Sequence, residues 1–146
     1  DAAIRDAGGV DLQLLGIGAT GHIGFNEPSS SLVSRTRVKT LVEKTVRDNA
    51  RFFSSADEVP VHVLTQGVGT VLDAREIVLA ATGDNKARAI HETVEGAISA
   101  RWPATALQQH ARVTIVVDEA AGRELELADY FRFIESHESE VPGAGN

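Results

Sequence analysis

The chain has 146 residues, 42% of them apolar and 24% charged, an ordinary balance for a water-soluble domain with one real core. Its formal charge of −7 argues against a general nucleic-acid-binding role, because phosphate backbones are held by surplus cations. No apolar run approaches the roughly 20 residues that span a bilayer, and the lack of cysteine leaves neither disulfide nor thiolate metal site, which fits a reducing, cytoplasmic setting.

In chain order, residues 2–7 read as the tail of a helix stopped by Gly8-Gly9, a pair able to supply the positive φ of a helix C-terminus. The chain is therefore read as opening inside a longer protein, the alternative being a processed or tagged start. Three short apolar runs follow at 10–15, 77–81 and 113–117, each ending at a turn or polar signal. Near-continuous apolar strands suit a sheet covered on both faces. Residues 35–42 alternate basic or polar with apolar side chains and predict a further, half-exposed strand, and 45–53 a helix. The clearest helical patterns are 85–94 and 119–128, while the Pro/Gly-rich tail 141–146 is expected to fray. Strands alternating with helices predict an α/β fold with a doubly wound, mostly parallel, Rossmann-like sheet, and residues 1–140 form one domain or part of one.

Ligands of open parallel sheets sit at the carboxyl ends of strands. Two such places are legible, residues 16–22 after the first strand and 82–86 after Ala81. The first carries four glycines in nine residues, too many for a helix or strand, where each costs about 1 kcal/mol. Gly16, Gly18 and Gly21 satisfy a bare G-x-G-x-x-G, but no acidic residue follows a second strand about 20 positions on, so a dinucleotide site is rejected. In this loop His22 can move protons near neutral pH, and Glu27 can fix its tautomer. The bland alternative is a histidine that satisfies loop backbone. A metal reading is poor, since Pro28 keeps Glu27 extended and no further His or Cys lies nearby.

The run G-H-I-G-F-N-E-P at 21–28, S-R-T-R-V-K after it, R-F-F at 51–53, L-T-Q-G-V-G-T at 64–70, Asn85-Lys86, V-E-G at 94–96 and W-P-A-T-A-L-Q-Q-H at 102–110 resemble the glucosamine-6-phosphate deaminase family in order and spacing. The resemblance implies that this is the C-terminal portion of a larger domain. It also implies conversion of glucosamine 6-phosphate and water to fructose 6-phosphate and ammonia, in amino-sugar catabolism, without metal or organic cofactor. His22 would be the acid/base that opens the pyranose ring and Glu27 its orienting carboxylate. Thr20 stands where the family commonly has Asp and sometimes Asn; a hydroxyl bonds but carries no charge. The base for the C2 proton and the main sugar-phosphate loop lie in the family's N-terminal half, outside these residues.

Arg51 and Lys86 match the family's substrate-phosphate cations. Lys86 also falls at a predicted helix N-terminus, where free N–H groups favour an anion, and Arg51 can offer a bidentate fork. Ser30, Arg37, Lys39 and Tyr130 match positions that, in regulated members, bind an allosteric sugar phosphate between subunits. The alternative for Arg37 and Lys39 is a basic strand edge that discourages pairing. The family includes monomers and hexamers, so a homo-oligomer is compatible with the resemblance. Gly67 and Gly69 receive no role, and His62, His91, His110 and His137 a structural one. Two other readings are a 6-phosphogluconolactonase-like hydrolase, disfavoured by residues 23–28, and a sugar-phosphate-sensing regulatory domain, which needs the cations but not His22 with Glu27. On the deaminase reading, Thr20→Asp is expected to preserve or raise turnover in an ammonia-release assay, and a large loss would give Thr20 a different role.

Overall fold

The computed structural model describes residues 1–138, so the expected frayed tail lies outside the described residues. The three apolar runs form one parallel sheet: β1 (Leu12–Leu15), β4 (Glu76–Ala81) and β5 (Val113–Val117), in the order β1-β4-β5. β1 is shorter than its apolar run because Val10 instead accepts from Arg75 N–H in the approach to the sheet. Leu15 is level with Leu79, and Ala81 with Val117, so the loops that leave the three strands emerge side by side.

Side chains alternate across this sheet. Leu15, Ile77, Leu79 and Ala81 point into the core with Val113, Ile115 and Val117. There they meet Ile23 of the glycine loop, Val71 of α3 (Val68–Leu72), Ala89 and Ile90 of α4 (Ala87–Val94), and Ala121 of α5 (Glu119–Gly122). Burying each large aliphatic chain stabilises the fold by about 1.5–3 kcal/mol. The opposite face carries Leu12, Leu14 and Val116, which are 56, 68 and 55% exposed, so among the described residues only one face is covered.

A second, antiparallel pair joins β2 (Arg37–Thr40) to β3 (His62–Thr65). The expected half-exposed strand is there, with its faces reversed. Arg37 and Lys39 share the more sheltered side, while Val38 and its partner Leu64 are exposed. The helix expected over 45–53 is α2 (Glu43–Asn49) followed by a tighter 3-10 turn, Ala50–Phe52, and that expected over 85–94 is a 3-10 turn, Asp84–Lys86, leading into α4. β3, α3 and the buried 3-10 stretch Pro103–Gln109 had no clear periodicity. Gly67 is a packing glycine, because a Cβ there would sit 2.1 Å from the Ser34 carbonyl oxygen. At the start of the chain, α1 (Ala2–Asp6) is followed by Gly8 and Gly9 at φ +95° and +89°, as a glycine-terminated helix requires.

One helix expectation fails. Residues 119–128 are not continuous: α5 ends at Gly122 and α6 (Ala128–Glu138) starts afresh. The cause is Glu95, at the C-terminal end of α4, whose carboxylate accepts from the N–H groups of Glu126 and Leu127, both at 2.9 Å. It also lies 3.1 Å from the His91 ring. Burial alone would raise its pKa, but those two N–H groups and His91 outweigh it and hold the carboxyl below the usual glutamate range. A depressed native pKa contributes stability that is full above the unfolded value and is lost as the pH falls through the native one. Glu95→Gln is thus expected to cost about 1–2 kcal/mol at pH 7, a few degrees in the unfolding midpoint. Thermal melts should show the gap to the parent narrowing as pH drops below the carboxylate range; a gap independent of pH would locate the effect in packing.

Candidate active site

The polypeptide leaves β1 at Leu15 into the glycine loop and returns through Ile23, fully buried beneath it. Gly21 and Gly24 adopt φ of +74° and +55°. The loop is clamped from β3 and the residue after it: Phe25 N–H donates to Thr65 Oγ1 at 3.1 Å, and the Asn26 amide donates to the carbonyls of Ile23 and Gln66 at 2.9 and 2.8 Å. Asn26 is fully buried, so these bonds hold the segment between His22 and Glu27 rigidly.

His22, Thr20 and Glu27 meet in a triangle. Thr20 Oγ1 lies 3.0 Å from His22 Nδ1 and donates to Glu27 Oε2 at 3.2 Å, and His22 Nδ1 is 3.3 Å from the same Oε2. A hydroxyl has one proton. Given to Glu27, it leaves the Thr20 lone pairs facing Nδ1, which then carries the ring proton, so that Nε2 is the nitrogen available for exchange with a ligand. The His22 and Glu27 side chains are 25 and 14% exposed, enough for a substrate to reach the ring while the carboxylate stays sheltered. Gly18 makes this possible, because a Cβ there would fall 2.1 Å from His22 Cε1. The ring rests on bare backbone.

These groups line one cavity of about 660 Å³, together with Gly16, Gly18, Arg51, Asn85 and Lys86. The sequence-derived proton-transfer residues His22, Glu27 and Thr20 and the cations Arg51 and Lys86 therefore share a single pocket. Lys86 caps α4 at its N-terminal end, after Gly83 at φ +90°. That turn is set by Asp118, whose carboxylate accepts from Gly83 N–H at 3.0 Å while capping α5 through Ala121 N–H at 2.8 Å. Arg51 follows α2. Arg35, Arg47, Arg75, Arg88, Arg112, Arg123 and Arg132 all pair with carboxylates. Among the described residues Arg51 has no such partner; its guanidinium lies 4.7 Å from the centre of the Phe52 ring, leaving its donors for an anion.

Ser30, Arg37, Lys39 and Tyr130 do not line this cavity. Ser30 is buried with its hydroxyl unpartnered among the described residues, Arg37 and Lys39 stand on one face of β2, and Tyr130 is exposed on α6. The other histidines have structural partners: His62 with Thr40, His91 with the Glu124 carbonyl, His110 with the Ala74 carbonyl, and His137 with the Phe133 carbonyl. Sequence reasoning missed Thr45 and Asn49, which also line the cavity. Their spacing of four on a helix is the signal that both share a face.

Comparison with known proteins places the site in a family. The profile of the glucosamine-6-phosphate isomerases/6-phosphogluconolactonase family matches residues 2–116. A glucosamine-6-phosphate deaminase of Mycolicibacterium smegmatis is 62% identical over 133 residues, covering 90% of this chain and 51% of its own. One from Streptomyces coelicolor is 59% identical over 144 residues, covering 98 and 55%. The chain thus spans about half the length of the curated relatives it matches. A solved monomeric glucosamine-6-phosphate deaminase superposes with a TM-score of 0.80 at 46% identity, over 84% of this chain and 51% of that one. The 6-phosphogluconolactonase of Trypanosoma brucei superposes at 0.60 and 20% identity, over 79 and 42%, a likeness of fold alone. The chain belongs to the glucosamine-6-phosphate isomerase/6-phosphogluconolactonase family.

Proposed function

We propose that these residues form the C-terminal part of a glucosamine-6-phosphate deaminase, a cytoplasmic, deaminating aldose–ketose isomerase that converts glucosamine 6-phosphate and water to fructose 6-phosphate and ammonia. The observation that carries the reading is the Thr20–His22–Glu27 triangle in one cavity with Arg51 and Lys86. A sugar-phosphate sensor has use for the cations but none for an oriented imidazole.

In this reading Arg51 and Lys86 hold the substrate phosphate, which fixes the sugar against the glycine loop. His22 Nε2 passes a proton to the ring oxygen as the pyranose opens. The imidazolium and imidazole forms are both served by the same neighbours, since Thr20 and Glu27 accept from Nδ1 in either state. C2 proton abstraction, proton return at C1 and loss of ammonia complete the conversion. The base for C2 belongs to the half of the relatives' length that this chain does not span. The bare sheet face of Leu12, Leu14 and Val116 supports residues 1–140 as part of a larger domain, because parallel strands are ordinarily covered on both sides. Arg37 and Lys39 on one face of β2, with Ser30 and Tyr130, are proposed as a second anion site for an allosteric sugar phosphate shared between subunits of a homo-oligomer.

The complete protein is expected to release ammonia from glucosamine 6-phosphate, and His22→Asn to lower kcat by at least about a hundredfold, the scale of general acid–base catalysis. Phosphate-analogue binding should persist in that variant. No ammonia from the parent protein, with the analogue still bound, would defeat the catalytic reading. Gly18→Ala is expected to turn the ring away from Thr20 and Glu27 and to cost a similar factor. Turnover kept within about threefold would mean that the ring's seat on residue 18 is dispensable.

A further inference from the structure

We propose that Thr45 is a positioning residue, which fixes the Glu27 carboxylate so that one oxygen serves the proton-transfer group and the other is anchored to the helix leading to the phosphate cation. Thr45 Oγ1 donates to Glu27 Oε1 at 2.6 Å, while Oε2 faces Thr20 and His22. The threonine is only 6% exposed, so water does not replace it cheaply.

A carboxylate is held in one orientation when both of its oxygens are bonded. Glu27 precedes Pro28 in a loop and could turn about its last side-chain torsion, which is broad and roughly two-fold. Bonds to Oε2 alone, from Thr20 and His22, would let the carboxylate pivot about that oxygen and swing Oε1. A short bond to Oε1 from a different element removes the freedom, and charge-assisted bonds of this kind are the stronger ones. Thr45 is suited to the task because it sits in α2, where the Asn49 amide donates to the Thr45 carbonyl at 2.8 Å and closes the next turn. The 3-10 turn that continues α2 bears Arg51. The same strut therefore runs from the carboxylate beside the imidazole to the turn that carries the guanidinium lining the same cavity. A phosphate that draws on Arg51 is registered, through α2, against the orientation of Glu27.

The kinetic consequence rests on the deaminase reading; the geometric one does not. In the complete protein, Thr45→Val keeps the shape and removes the hydroxyl. It is expected to lower kcat about tenfold or more while changing KM less than about threefold, the pattern of an interaction used in the transition state. Thr45→Ser should restore most of the turnover. In parallel, the ring-nitrogen NMR signals of His22, assigned by their loss in His22→Asn, should shift in Thr45→Val and return in Thr45→Ser, with His91 and His110 unmoved. Thr45→Ala carries the same expectation should the valine variant fold poorly. If the parent releases no ammonia, the deaminase reading falls and the ring signals alone decide the role of Thr45. Unmoved His22 signals in a folded Thr45→Val or Thr45→Ala protein would overturn the proposal. So would a serine variant as impaired as the valine one.

Discussion

The site depends on one sheltered carboxylate shared among three partners. Glu27 receives Thr20 and His22 of the glycine loop on one oxygen and Thr45 of α2 on the other. A buried or half-buried anion costs several kcal/mol to desolvate unless its acceptors are used. Satisfying them forces the glycine loop, the segment around Pro28 and α2 into one arrangement. The imidazole is oriented as a by-product of that satisfaction. In this sense the local chemistry of the site and the packing of the loop are a single constraint, because Thr20 of the loop and Thr45 of α2 donate to the same carboxylate.

The sheet determines where that arrangement lies. Parallel register between β1 and β4 brings the loop after Leu15 beside the turn after Ala81, and Asp118 after β5 holds the turn by accepting from Gly83. Lys86 and the imidazole are thus brought together by neighbouring strand ends, the general location of ligands in open α/β sheets, while Arg51 joins them from the 3-10 turn after α2. The second, antiparallel pair has a different task. β3 supplies the Thr65 hydroxyl, and the residue after it the Gln66 carbonyl, to clasp residues 25 and 26 from the far side. Its exposed apolar pair, Val38 and Leu64, contributes nothing to that clasp.

How much of this was legible follows from range. Residues 113–117 gave their strand from composition alone, since five consecutive apolar or β-branched residues between polar signals leave little alternative. The strand ends placed His22 and Lys86 at neighbouring loops, while Arg51 was pointed to by the family resemblance and not by any strand end. What escaped was set by distant partners. Glu95 breaks the helical pattern of 119–128 from thirty residues away, a capture no periodicity can foretell. Likewise β3 reads as an indifferent run until β2 pairs with it, and Pro103–Gln109, buried in a 3-10 path, lacks any helical period. Thr45 was overlooked because a threonine in a helix ordinarily back-bonds or faces water.

The acidity of the chain clarifies the cationic end of the pocket. With 21 acidic and 14 basic residues, most guanidinium groups find a carboxylate, and such surface pairs contribute little each. Their effect is to consume positive charge locally, so that the molecule presents few cations to a passing anion. Arg51, stacked beside Phe52 instead of a carboxylate, departs from that pattern in the lining of the cavity. Lys86 reinforces it from a helix N-terminus, where the aligned peptide dipoles add to its charge. Arg51 and Lys86 therefore bring positive charge into the same cavity that His22 lines.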